Sequence, residues 1–80
     1  MPKPKVLSGK EVVSIFKSFG FAVASQKGSH LKLERMSDEE KQIIIVPNHK
    51  EMDVGTLKSI YKKALQYLSE KELKFHFYSE

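Results

Sequence analysis

Apolar residues recur at helical spacing at Val12, Ile15, Phe16 and Phe19, and this stripe predicts a short amphipathic helix over about residues 9–18. Ser8 followed by Glu11 fits a capping box at its start, and Gly20 provides the stop. The period then changes to two. Phe21 and Val23 alternate with Ala22 and Ala24, which predicts a strand over 21–26. Leu31 and Leu33 alternate with His30, Lys32 and Glu34, which predicts a second strand over 30–35. With the leucines facing the core, His30 and Lys32 face outward. Lys27-Gly28-Ser29 is the turn between these strands. Met36 to Lys41 reads as a polar, charged loop. Gln42 to Val46 is apolar and β-branched, a third strand with both faces at least partly covered, and Pro47 ends it. Asn48 to Asp53 is a loop. From Val54 the helical period returns, with Leu57, Ile60, Tyr61, Ala64, Leu65 and Leu68 on one face. Ser69 and Glu72 open a short last helix through Leu73 and Phe77, although Phe75 and Phe77 alternate equally well as a strand.

The order is helix, three antiparallel strands, helix. Helices at both ends of a meander predict a two-layer α+β sandwich with both helices on one face. This order resembles the α-β-β-β-α double-stranded-RNA-binding-domain-like sandwich, followed here by a short C-terminal helix. Residues 1–7, basic and proline-bearing, are expected to be a flexible tail, and residues 8–80 a single domain.

Composition narrows the chemistry. Eighty residues bury a modest core, so a functional site lies on the surface or in a shallow groove. A hydrophobic content of 40% fits a globular chain. Cysteine is absent, so no disulfide framework or thiolate metal site exists, which fits a cytoplasmic setting. Lys plus Arg number 14 against 10 Asp plus Glu, with a pI near 9.4. That balance favours a polyanion such as RNA, while a solvated lysine surface accounts for it equally simply. Arg35 is the one arginine among these cations. Lysine meets phosphate as a point charge, so binding is expected to be weakly sequence-selective. No signal peptide or membrane span is expected, since the aliphatic run Ile43 to Val46 is far too short to cross a bilayer.

His30 is the leading candidate for chemistry. Imidazole has an ordinary pKa of about 6.5 and suits proton transfer at neutral pH. Attack of an RNA 2′-hydroxyl on its neighbouring phosphate needs such a base. A histidine after a turn is, without further information, more often a plain surface residue. Gly28 meets a turn's need for positive φ. Ser29 either donates to a phosphate oxygen or caps the turn. Lys27 either stabilises phosphorane charge or is a solvated turn lysine. Lys58, Lys62 and Lys63 form either a track for RNA backbone or a solvated helix face. Gly55-Thr56 offers helix N-terminal amides to an anion, but ordinary capping by Asp53 or Thr56 is the simpler reading. Tyr61 and Tyr67 read as core or rim, His49 as a loop-orienting residue, and His76 has no partner by spacing. The three histidines make no metal signature, so neither metal nor cofactor is expected.

Several segments together carry a resemblance: Ser8-Gly-Lys-Glu-Val-Val, Gly20-Phe21, Gln26-Lys27-Gly28-Ser29-His30, Val46-Pro47-Asn48-His49 and Gly55-Thr56-Leu57-Lys58-Ser59-Ile60. Over roughly residues 8–73 the chain resembles the HicA (YcfA-like) messenger-RNA interferase toxins. The resemblance implies the double-stranded-RNA-binding-like fold, a catalytic histidine at His30 and a HicB-type antitoxin that covers the active surface. Joined to the residue readings above, it leads to the expectation of metal-independent cleavage of messenger RNA in the cytoplasm, with Lys27, Gly28, Ser29, Lys32, Lys58 and Lys62 contacting RNA. Two departures stand out. Many members have arginine where this chain has Ser25, and the connection Met36 to Lys41 is more acidic than usual. The alternatives are therefore a non-catalytic RNA-binding domain, or an inactivated toxin that only binds its antitoxin.

Overall fold

The computed structural model describes residues 3–79. In chain order the elements are β1 (Lys3–Pro4), α1 (Gly9–Ser18), β2 (Ala22–Lys27), β3 (His30–Ser37), β4 (Glu40–Pro47), α2 (Val54–Ala64), α3 (Glu70–Phe77) and β5 (Tyr78–Ser79). The helix, antiparallel meander and following helix form the expected α+β, α-β-β-β-α arrangement of the double-stranded-RNA-binding-like fold.

The capping box closes as the sequence suggests. The Glu11 N–H donates to Ser8 Oγ at 3.1 Å, and the Ser8 N–H donates to Glu11 Oε1 at 2.9 Å. Gly20, at φ 95°, ends the segment in the left-handed region. Gly9 has a tighter constraint. A Cβ there would strike the Pro47 carbonyl oxygen and lie 2.8 Å from Asn48 Cα. The start of α1 therefore docks directly on the end of β4, and the Gly9 N–H donates to the His49 carbonyl at 2.8 Å.

The sheet order is β2-β3-β4, with β3 central. Leu33 pairs with Ile44, and Leu31 with Val46. Leu33, Ile44 and Val46 are fully buried with Val12, Phe16 and Leu73. The outer face carries the alternate positions of β3. On β2 a one-residue bulge falls between Val23 and Ser25: Val23 pairs with Leu33, but Ser25 pairs with Lys32. Directly opposed residues share a face, so the extra residue, Ala24, turns Ser25 and Lys27 outward.

Three expectations need correction. The loop expected over Met36 to Lys41 is a two-residue turn, with Ser37 paired to Glu40 and Met36 to Lys41. Asp38 and Glu39 both take positive φ, 51° and 68°, as a type I′ hairpin turn requires. Asp-Glu carries no glycine or asparagine signal for such a turn. Second, the cover expected on both faces of β4 is unequal: Ile44 and Val46 are buried on one, while on the other Ile43 is half-buried and Ile45 is 47% exposed. β4 lies at the sheet edge, which is also why it keeps Pro47 in its ladder, opposite His30. Third, the helical period through Leu68 is broken. α2 ends at Ala64, and Ser69 restarts the chain as α3 with its Oγ accepting from the Glu72 N–H at 3.3 Å.

The expected tail is tied down where it is described. Lys3 and Pro4 pair with Ser79 and Tyr78, and the Lys5 N–H donates to the Phe77 carbonyl at 2.9 Å. Leu7 is buried, and its carbonyl accepts from the Met52 N–H. Residues 1 and 2 of that segment lie outside the described residues. Of the two alternatives for the aromatic end the helix holds: Phe75 and Phe77 both lie in α3, with Phe77 buried, and β5 begins only at Tyr78.

Arg35 is structural. Its Nε donates to Gln42 Oε1 at 2.8 Å, and its Nη1 donates to the Phe19 carbonyl at 2.8 Å. The guanidinium also stacks over Phe21 at 4.9 Å. It thus satisfies a carbonyl left open at the end of α1 and fastens β3 to the helical layer. No helix among the described residues is long and apolar enough to cross a membrane.

Candidate active site

His30 is the first residue of β3, exposed, with Lys27 directly across the hairpin on one side and Pro47 on the other. Gly28 and Ser29 form the two-residue loop. Gly28 has φ 59°, and Ser29 is not in the positive-φ region, the pattern of a type II′ turn with glycine first. A Cβ at Gly28 would meet nothing within 4 Å, so the glycine answers to the backbone angle and not to crowding. Two hydrogen bonds steady the loop. Gln26 Nε2 donates to the Gly28 carbonyl at 2.9 Å, and the Asn48 N–H donates to the Ser29 carbonyl at 2.6 Å.

On the outer sheet face, Ser25, Lys27, Gly28, His30, Lys32 and Ile45 line a shallow concavity of about 610 Å³. Cross-strand register explains the grouping. Ser25, Lys32 and Ile45 form one row, and Lys27, His30 and Pro47 the next. The bulge at Ala24 is what brings β2's contribution onto this face.

The sites expected from sequence divide. Lys27, Gly28, His30 and Lys32 come together in the concavity. Ser29 sits in the adjoining turn and does not line it. Lys58 and Lys62 are exposed on α2, in the helical layer, and do not line it either. Ile45 was not singled out from sequence. Its signal was the unalternating run Ile43 to Val46, which read as a strand with both faces at least partly covered.

Lys32 is not a free charge. Its Nζ lies 3.4 Å from Glu34 Oε2, and Lys41 Nζ lies 3.7 Å from Glu34 Oε1. One carboxylate on the outer face thus holds two lysines. Among the described residues no carboxylate forms an ion pair with His30. The ring is presented by strand pairing and turn geometry alone.

The remaining candidates lie apart. His49 is exposed in the loop after β4, where its backbone anchors α1. His76 packs edge-on against Phe19, with ring centroids 5.5 Å apart. The α2 N-terminus is capped by Asp53, which accepts from the Thr56 N–H at 3.0 Å. Hydrogen bonding from the Thr56 side chain and backbone, helped by the charge of His49, holds the Asp53 carboxyl below its ordinary 3.8. That carboxylate occupies the Thr56 amide, one of those that Gly55-Thr56 would otherwise offer an anion. Burial and the neighbouring Glu70 push the Tyr61 phenol up. Among the described residues no three histidine or carboxylate side chains are grouped to hold a metal ion.

No curated protein and no solved structure matches the chain significantly. The sequence pattern of one family, described as HicA toxin of bacterial toxin-antitoxin, matches residues 9–65, which run from the start of α1 to just past the end of α2 and include the whole concavity. With most of its length and all of its candidate site inside that match, the chain belongs to the HicA toxin family of bacterial toxin–antitoxin systems.

Proposed function

We infer that this toxin is a metal-independent endoribonuclease that cleaves messenger RNA in the cytoplasm and so inhibits translation and growth. The observation that carries the reading is His30, exposed in one concavity with Lys27 and Lys32. A nitrogen of the His30 ring takes the proton of a 2′-hydroxyl. The 2′-oxygen then bonds to the adjacent phosphorus, and the bond from phosphorus to the 5′-oxygen breaks. The ring, now imidazolium, returns a proton to that leaving oxygen. A 2′,3′-cyclic phosphate and a 5′-hydroxyl result. Lys27 and Lys32 oppose the charge that builds on the phosphorane. Gly28 permits the turn, and Ser29 holds it through its carbonyl. Lys58 and Lys62, exposed on α2, contact RNA backbone further along the strand, beyond the concavity.

A HicB-type antitoxin is the expected protein partner, covering the face that bears His30. The reading is tested by His30→Ala with RNA cleavage, growth arrest and unfolding measured together. Because the ring is exposed, stability should change by no more than about 0.5 kcal/mol. Cleavage and arrest should both disappear. A variant that cleaves at the wild-type rate would remove His30 from the mechanism. A wild-type protein that binds RNA and never cleaves it would favour the RNA-binding domain. In that alternative His30 only contacts phosphate.

A further inference from the structure

Ile45 is out of place by the ordinary logic of a two-layer fold. It is a large β-branched side chain, 47% exposed, on the outer face of the edge strand β4, where it also borders a hollow shared with Ser59 and Lys63 of α2. It is also the apolar member of the concavity that holds His30. Directly across from it stands Lys32, and one row along the sheet stands His30, opposite Pro47. Diagonal neighbours in adjacent strands lie about 7–8 Å apart. That is of the order of the distance between a phosphate and the base of the same nucleotide. Cations line the concavity on β2 and β3, where a phosphodiester would sit, and the exposed aliphatic surface lies on β4, beyond them.

We propose that Ile45 forms a nucleobase subsite, taking the flat face of one unpaired RNA base while the adjacent phosphate is held at His30, Lys27 and Lys32. This rests on the endoribonuclease reading and adds the strandedness of the substrate. A base in a duplex has its faces covered by its stacked neighbours, so its face cannot lie on Ile45 unless the nucleotide is unpaired. An aliphatic floor makes no hydrogen bonds to base edges, so the subsite selects single strands without reading sequence. Other sequence-tolerant single-strand sites stack aromatic side chains on the π-face that every base possesses; at Ile45 the contact is apolar burial of that same face against an aliphatic surface.

The test uses the full chain carrying His30→Ala, so that binding is read without cleavage. Probes are a short single-stranded RNA, the same RNA with one abasic nucleotide, and its duplex. The intact single strand should bind about fivefold or more tightly than the abasic strand. Ile45→Ala should remove most of that difference. Ile45→Thr, which keeps the β-branched shape and strand preference, controls for the fold and should show a partial loss. In the protein that retains His30, Ile45→Ala should raise KM with little change in kcat. Equal binding of intact and abasic strands, or an Ile45→Ala protein that still discriminates them, would overturn the subsite. So would an Ile45→Ala effect confined to antitoxin affinity, which would assign the patch to the protein partner. A protein that never cleaves RNA but shows base- and Ile45-dependent binding would keep the subsite and overturn the nuclease reading. Failure to bind any RNA would overturn both.

Discussion

The Asn48 N–H donates to the Ser29 carbonyl at 2.6 Å, joining the loop after β4 to the turn that presents His30. The β3 ladder ends at the His30–Pro47 pair, and this bond extends the connection past it. The hairpin that bears His30 is therefore held on both sides at its tip. Asn48→Pro deletes the donor and leaves the Ser29 carbonyl to solvent. The expected cost is about 1 kcal/mol in stability. Cleavage should fall more than RNA binding, because proton transfer depends on the position of the ring and charge attraction does not. Parallel denaturation, binding and cleavage measurements decide it, and unchanged cleavage would show that the tip needs no such support.

Gly9 opposes two effects of known size. Alanine is favoured over glycine inside a helix by about 1 kcal/mol. A methyl group at this position, however, would strike main-chain atoms of Pro47 and Asn48, which cannot rotate aside. Overpacking of that kind costs about 1–3 kcal/mol or more. Gly9→Ala should therefore destabilise the protein by about 1–2 kcal/mol in urea unfolding. A stabilised variant would mean that α1 can move off β4.

Glu34 engages Lys32 and Lys41 at 3.4 and 3.7 Å, so it competes with RNA for the lysine that lines the site. Glu34→Gln should strengthen RNA binding about two- to fivefold at low salt, the scale of an exposed ion pair. The gain should shrink as salt rises. Titration of labelled RNA in a His30→Ala background reads this directly. Weaker binding in the glutamine variant would show that Glu34 positions Lys32 instead of restraining it.

Asp53 makes stability depend on acid pH. Its folded pKa lies below the ordinary 3.8 because Thr56 hydrogen-bonds the carboxylate. The contribution is fully present above 3.8 and is lost as the pH falls through the lowered folded value. An asparagine at this position would still cap the helix but would not titrate. Wild type should therefore lose stability relative to Asp53→Asn only in that acid window. A difference between the two that stays constant from neutral pH down to below 3.8 would rule out the Asp53 cap as the cause.

Local chemistry in the sequence was enough for much of this protein. The Ser8–Glu11 box and the stripe from Val12 to Phe19 determine α1, because caps and a 3.6-residue period act within a few residues. The alternation of Leu31 and Leu33 with His30 and Lys32 determines which way β3 faces, since a strand with one buried face has one favourable register. Gly28 determines a turn, and with it the position of His30 at the start of a strand. The matching segments from Ser8 to Ile60 were sufficient to find the family.

Tertiary structure decided the rest, wherever the deciding partner lies far along the chain. The bulge at Ala24 is defined only by pairing with β3, yet it turns Ser25 and Lys27 onto the face that bears His30. Asp38 and Glu39 adopt left-handed angles because the twist of two long strands requires them, against their own preferences. Arg35 became a clamp between layers because open carbonyls at Phe19 and elsewhere converge on it. Ile45 stands exposed beside His30 because the three helices pack on Leu33, Ile44 and Val46 on the inner face of the sheet, leaving an apolar residue on the other. A run of four apolar residues states how much greasy surface a strand carries, and only the layers around it determine which part meets solvent.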